Sequence, residues 1–207
     1  MATSPPTPKG FAQSFQELFR TSAEEKISIP EKGTEVGIHW SRPPGIGKSN
    51  GASNGKERDT EWTAIMAIFL SRLARRLGFY QEWEYGESKI DHAWFDDGPW
   101  RDATDSRSPA ILIEHENDVK GIVGSELPKL IESKCSLKVL ITYEWNDTKA
   151  EGIQAEVGQV LEKNPDMEGD FLLIIGIDDV AEWDDWRFLH WDKAKQAMEE
   201  LLREDDK

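Results

Sequence analysis

The chain has 207 residues, which is long enough to bury one hydrophobic core, and we predict a single domain over residues 1–207. Its 40 acidic and 25 basic residues give a formal net charge of −15, which argues against a non-specific grip on nucleic acid or on an anionic membrane through bulk charge. The single cysteine cannot form an internal disulfide, and the sequence contains neither a signal peptide nor an apolar run long enough to span a membrane. We therefore expect a cytoplasmic protein that makes no membrane contact.

The first third of the chain combines two polar segments with two helical patterns. Residues 1–10 are rich in Pro, Thr and Ser, and residues 41–59 are rich in Gly, Ser, Asn and Pro, so we expect both segments to be flexible. Phe and Leu residues at helical spacing predict a short amphipathic helix over residues 11–20, which either caps the core or docks on a partner. A longer apolar stripe predicts a helix from residue 59 or 60 to residue 77.

A hairpin pattern comes next. Residues 79–85 and 89–95 are both rich in strand formers, and the three residues between them include a glycine, which is typical of a hairpin connection. Asp91 lies inside the second of these strands, in an otherwise half-buried run of side chains. Because a buried acid usually has a hydrogen-bond partner or a metal ion, Asp91 is a candidate site residue.

The strand that begins at Ile111 changes from apolar to acidic within one run that ends at Asn117. Glu114 and Glu116 are two residues apart, so a strand would project both to one side and His115 to the other. We expect the imidazole of His115 to be packed and hydrogen-bonded. Two carboxylates held together at the end of an apolar strand are costly unless a cation or a proton lies between them. The pattern therefore predicts either a divalent-metal site or a strand that simply runs out into solvent.

Helical and strand patterns alternate over the rest of the chain. The sequence predicts helices over residues 121–134, 149–163 and 192–203, and strands over residues 136–143, 171–177 and 186–191. The continuous apolar run from Phe171 is typical of a strand that is buried on both faces. The order helix, hairpin, strand, helix, strand, helix, strand predicts an α/β fold in which helices flank a mixed central β-sheet.

The combination of Glu61 on a helix, Asp91 on a second strand, and Glu114 with Glu116 on a third strand resembles the PD-(D/E)xK superfamily, the restriction-endonuclease-like nucleases. The core of that family runs helix, three strands, helix, strand, and an acid on the second strand joins an acid and usually a lysine on the third. The resemblance covers about residues 60–143, and the C-terminal strand and helix form an extension. It implies a restriction-endonuclease-like arrangement of the mixed sheet.

The resemblance also implies an activity, the Mg²⁺-dependent or Mn²⁺-dependent endonucleolytic hydrolysis of phosphodiester bonds, with DNA as the expected substrate. Asp91 and Glu114 would then be the principal metal ligands, and the backbone carbonyl of His115 would supply a further oxygen. Glu116 would hold the attacking water or act as its general base, and Glu61 would reach the site from the helix. Carboxylate-bound Mg²⁺ suits this reaction because it activates water and stabilises the charge that builds on the phosphate oxygens.

Two departures from the family pattern leave an alternative open. Ile90 precedes Asp91 where a proline is usual, and Glu116 stands where the lysine is usual. Lys120 and Lys129 are the nearest candidates for a substituted cation, although solvated lysines need no function and we favour that interpretation. The alternative is a protein that keeps this fold as a catalytically inactive binding or regulatory module. The sequence also leaves open whether the protein forms a homodimer or binds a protein partner.

Overall fold

The structure is a computed structural model, and its largest element is a seven-stranded mixed β-sheet. It describes residues 5–22, 26–29, 34–37, 54–98, 107–116, 121–144, 146–177 and 186–202. The strands are, in chain order, β1 (Lys26–Ile29), β2 (Thr34–Gly37), β3 (Tyr80–Tyr85), β4 (Ile90–Phe95), β5 (Ile111–His115), β6 (Leu137–Glu144), β7 (Asp170–Ile177), β8 (Trp186–Asp192) and β9 (Ala197–Glu200). The helices are α1 (Pro8–Ser22), α2 (Asn54–Leu77), a π-helical segment (Ile122–Glu126), α3 (Leu127–Glu132) and α4 (Asp147–Glu162). The predicted α/β class with a mixed sheet is therefore confirmed.

The strands of the large sheet follow one another in sequence order from β3 to β9, while β1 and β2 form a separate two-stranded ladder. β5, β6 and β7 are mutually parallel, and the pairs on either side of them are antiparallel. Because β4 runs antiparallel to β5, the beginning of β4 lies beside the end of β5. This arrangement brings the two acidic positions of the sequence to the same edge of the sheet.

Helices cover both faces of the sheet and divide the core into two layers. On one face α1 and α2 pack over Trp94, Ile113 and neighbouring strand residues, and Phe15 of α1 contacts rings from α2 and β8. On the other face the π-helical segment, α3 and α4 pack over Leu112, Leu140 and neighbouring residues. The predicted first helix therefore caps the core, and β7 is buried on both faces as its apolar run predicts. None of the helices in the described ranges combines the length and the apolar character needed to cross a bilayer.

Helix α4 begins at a side-chain cap. Asn146 has extended backbone angles, and its side-chain oxygen accepts a hydrogen bond from the Lys149 amide at 3.1 Å. An Asn in this position satisfies one of the amides that the first helical turn leaves unpaired. We expect Asn146→Ala to lower the free energy of unfolding by about 1 kcal/mol, measured by chemical denaturation. Thr148→Ala in the same exposed turn is the control, and an equal loss in both variants would contradict the capping role.

The predicted C-terminal helix over residues 192–203 is wrong. Asp192 accepts hydrogen bonds from the amides of Ala194 and Lys195, which closes a turn, and Gln196 has a positive φ of 50°. The chain then returns as β9 and pairs with β8. Apolar residues in this segment recur at a spacing that also suits a helix, but the turn made by the Asp192 carboxylate and the free edge of β8 favour a hairpin.

Several element boundaries and the type of one helical segment also differ from the sequence predictions. α1 begins at Pro8, inside the segment expected to be flexible, and α2 begins at Asn54, because the charged residues that follow are good helix formers. Residues 1–4 and 41–53 lie outside the described residues. The helix predicted from residue 121 opens with the π-helical segment, in which the Leu127 amide donates to the carbonyl of Ile122. The next residue is a proline without an amide hydrogen, so the ladder changes register there.

Candidate active site at the edge of β4 and β5

Asp91 and Glu114 face each other across two antiparallel strands. The β4–β5 ladder ends with His92 paired to Ile113, and the same register continued by one residue brings Asp91 opposite Glu114. The His115 amide donates a hydrogen bond to Asp91 Oδ2 at 3.0 Å. The Asp91 amide donates to Glu114 Oε2 at 3.4 Å. Each carboxylate therefore accepts a hydrogen bond from the backbone of the opposite strand, and the pair is placed by the sheet itself.

Burial dominates the electrostatics of this pair. The Glu114 side chain is only 1% exposed, and burial, with the charges of Asp91 and Glu126 in addition, raises its pKa to about 9. Burial also raises the pKa of Asp91, although the hydrogen bond from the His115 amide opposes the increase. Glu114 Oε1 is buried and receives no hydrogen bond from a neighbouring N–H or O–H group. Such an oxygen is costly unless a proton or a cation completes it.

Lys129 and Glu126 complete the cluster from the helical segments that follow β5. The Lys129 ammonium lies 3.4 Å from Glu114 Oε1, which is an ion-pair distance, and it donates a hydrogen bond to Glu126 Oε2. Ser125 donates to the other Glu126 oxygen at 2.9 Å. Burial raises the pKa of Glu126, but the hydrogen bonds from Lys129 and Ser125 outweigh it and hold that pKa below the ordinary value. Although burial lowers the pKa of Lys129, its contacts with Glu126 and Glu114 raise it overall, so the ammonium stays charged.

Glu126 is not among the site residues that the sequence predicts, and Lys129 is expected there to be a solvated lysine. Their spacing of three residues places them on one helical face, which was a usable signal. Only the packing of α3 against β5 decides that this face is turned toward Glu114, and β5 contacts α3 in the structure.

The imidazole of His115 lies on the opposite face of the sheet, as the alternation of strand residues predicts. Its Nε2 is 2.8 Å from the hydroxyl of Tyr143, and the two rings meet edge to face. Burial lowers the pKa of His115 to about 4, so the ring is neutral at physiological pH. The prediction of a packed, hydrogen-bonded histidine is confirmed. The role of its backbone carbonyl as a ligand stays a prediction.

Glu116 lies just beyond the end of β5, and Glu61 lies in α2, so neither belongs to the β4–β5 strand pair. β5 ends at His115, and the shared side of Glu114 and Glu116 that strand alternation predicts stays a prediction. The Glu116 amide donates to Ile141 O at 3.0 Å, and a β-carbon built on Gly121 would lie 3.3 Å from its Oε2. The carboxylate therefore lies against the start of the following helical segment. Glu61 is part of α2, but its side chain lies outside the described part of the chain.

The cluster has oxygen donors of the kind that Mg²⁺ and Mn²⁺ prefer. Asp91 and Glu114 supply carboxylates from two strands. Glu114 Oε1 accepts no hydrogen bond, so its lone pairs are available to a cation. Within the described ranges, no three His, Cys, Asp or Glu side chains are grouped as a ready metal site. Two strand carboxylates therefore fit a metal ion, while a third protein ligand would have to move or come from the backbone.

Comparison with known proteins adds no relative, since no protein-family model, curated protein or solved structure matches the chain.

Proposed function

We propose that the protein is a metal-dependent nuclease that hydrolyses phosphodiester bonds, with DNA as the substrate. The observation that carries this proposal is the cross-strand pair of the half-buried Asp91 and the buried Glu114, in which one Glu114 oxygen receives no hydrogen bond. The order of elements supports it as well. α2, β3, β4, β5, α3 and β6 follow the sequence helix, three strands, helix, strand that the resemblance to restriction-endonuclease-like nucleases implies.

In this proposal Asp91, Glu114 and the carbonyl of His115 would hold Mg²⁺ or Mn²⁺. The bound ion supplies positive charge to a phosphate oxygen and lowers the pKa of a bound water. The protein contributes position, because the sheet holds Asp91 and Glu114 by backbone hydrogen bonds and leaves little freedom for either carboxylate. Glu116, just beyond the strand, is proposed to orient the attacking water, and Glu61 is retained as a candidate on α2.

Lys129 is proposed to take the part that a strand lysine plays in the family. The usual position carries Glu116, but the Lys129 ammonium lies 3.4 Å from Glu114 Oε1 and stays charged. A lysine that enters from the following helix presents the same point charge to a phosphate oxygen. The absence of lysine from position 116 therefore does not by itself argue for an inactive protein.

The direct test is cleavage by the purified full-length protein. Fluorescently labelled duplex DNA, single-stranded DNA and RNA of mixed sequence are incubated with Mg²⁺ or Mn²⁺, and the products are resolved on denaturing gels. We expect cleavage of DNA with either ion and none with a chelator present, because carboxylate-held metal supplies the charge that the reaction needs. Intact DNA under all metal conditions, from protein that is folded by circular dichroism, would overturn the proposal.

The alternative is a binding or regulatory protein that keeps the fold without turnover. The observation in its favour is that Lys129, Glu126 and Ser125 already satisfy one another beside Glu114, so part of the cluster is neutralised internally. Calorimetry distinguishes the two functions. Uptake of Mn²⁺ or Mg²⁺ at millimolar concentration supports the nuclease, whereas no uptake favours the inactive scaffold.

We propose a cytoplasmic setting, with which the free thiol of Cys135 agrees. Nucleic acid is the proposed partner. Whether the protein acts as a homodimer or with a protein partner is decided by sedimentation of the protein alone and with DNA.

A further inference from the structure

The ammonium of Lys129 lies between two carboxylates of the candidate site. One of them, Glu114, is 1% exposed and comes from β5, and the other, Glu126, is 14% exposed and comes from the π-helical segment. Glu114 Oε1 is the oxygen nearest to the ammonium and is also the oxygen that receives no hydrogen bond. The Lys129 side chain is 27% exposed, so it is more accessible to solvent than the Glu114 side chain.

The two contacts of Lys129 differ in kind. The contact with Glu126 is a hydrogen bond within one helical turn, and Glu126 is itself held by Ser125, whose hydroxyl also donates to the Gly121 carbonyl at 2.7 Å. The contact with Glu114 is longer, with 3.4 Å between the ammonium and Oε1, and it is not a hydrogen bond. Glu126 is therefore the firm anchor of the ammonium, and Glu114 is the partner that is more easily released.

A divalent ion that binds Glu114 needs the oxygen that now faces Lys129. Two cations cannot approach the same carboxylate oxygen from the same side without strong repulsion in a buried site. A metal ion at that oxygen would require the ammonium to move away from Glu114, and this movement need not break its hydrogen bond to Glu126. Asp91 and Glu114 would then be free to face the metal ion, and Lys129 would remain beside it.

We propose that Lys129 is the resident counter-ion of the metal-free cluster, that a divalent ion binds by displacing it from Glu114, and that Glu126 retains the displaced ammonium beside the metal. This inference rests on the proposed function only for the identity of the cation. It does not require that the protein cleaves nucleic acid. Glu126 acts through Lys129 and is a positioning residue.

Calorimetric titration of the full-length protein with Mn²⁺ tests the exchange. We expect Lys129→Met to bind Mn²⁺ about tenfold or more tightly than the wild type, because a neighbouring like charge is removed. Lys134→Met is the control, since Lys134 is an exposed lysine that pairs with Glu168 away from Glu114. Equal or weaker Mn²⁺ binding by Lys129→Met, with the control unchanged, would overturn the inference.

A double-mutant cycle tests the role of Glu126. We expect Glu126→Gln alone to weaken Mn²⁺ binding, because the displaced ammonium then has no anion to hold it. In the Lys129→Met background the same change should have little effect, since there is no ammonium to retain. An equal loss in both backgrounds would mean that Glu126 is a direct metal ligand, which contradicts the positioning role. Thermal unfolding of each variant confirms that the folded protein is being titrated.

The inference and the proposed function fail separately. Tighter Mn²⁺ binding by Lys129→Met in a protein that cleaves no nucleic acid would support the exchange and reject the nuclease. Metal-dependent cleavage by the wild type, together with unchanged Mn²⁺ affinity in Lys129→Met, would do the reverse.

Discussion

Asp91→Asn and Glu114→Gln are each expected to reduce metal-dependent DNA cleavage by at least about a thousandfold, equivalent to about 4 kcal/mol of transition-state stabilisation. Both substitutions keep the size of the side chain but remove the negative charge that would hold the metal ion. Because the two carboxylates face each other across one strand pair, the loss of either leaves a single strand carboxylate at the site. The measurement is the single-turnover cleavage rate of labelled DNA with Mg²⁺ or Mn²⁺.

The matched control is Glu87→Gln, which changes an exposed acid in the turn between β3 and β4 and should leave the cleavage rate unchanged. Thermal unfolding monitored by circular dichroism shows whether the Asp91 and Glu114 variants are folded. Cleavage at the wild-type rate by both site variants would exclude this pair as the active site, even in a protein that is a nuclease.

The contribution of Glu114 to the stability of the metal-free protein is expected to fall as pH rises from about 4.5 to about 9, and Glu114→Gln should remove that contribution to the pH dependence. Glu114 has a pKa of about 9 in the folded protein against an ordinary value of 4.5. Between these values the folded state holds a proton that the unfolded state has released. One such proton changes the free energy of unfolding by about 1.4 kcal/mol per pH unit at most.

The direction follows from which state binds more protons. Well below pH 4.5, Glu114 is protonated in both states, so it adds no pH dependence to the free energy of unfolding there. As the pH rises above 4.5, Glu114 ionises in the unfolded state but stays protonated in the folded state. The free energy of unfolding therefore falls. We expect the stability of Glu114→Gln relative to the wild type to increase by about 2 kcal/mol or more between pH 4 and pH 8.

Denaturant unfolding with a chelator present, at several pH values, measures this difference. Glu132→Gln on the exposed side of α3 is the control, and its stability should follow that of the wild type at every pH. A constant offset between Glu114→Gln and the wild type, independent of pH, would show that Glu114 does not bind its proton more tightly in the folded state.

The local elements were largely predictable because their signals are local. The strand pattern around Asp91 and the apolar run at the start of β7 each depend on residues close in sequence, and both lie in strands as expected. The hairpin of β8 and β9 was not predicted, because its formation depends on pairing between strands and not on a local pattern. β9 is stabilised by pairing with β8, and helical spacing in the same segment competes with that pairing in the sequence alone.

The candidate site divides in the same way. The acidic character of Asp91 and Glu114, and their places in two strands, can be derived from the sequence through strand alternation and the cost of buried charge. Their direct opposition depends on the β4–β5 register, and the approach of Lys129 depends on how α3 packs on β5. These are contacts between segments distant along the chain, which local periodicity does not encode. The sequence by itself determined which groups carry charge, and only the tertiary structure decided that Lys129 lies beside Glu114, because that contact depends on how α3 packs on β5.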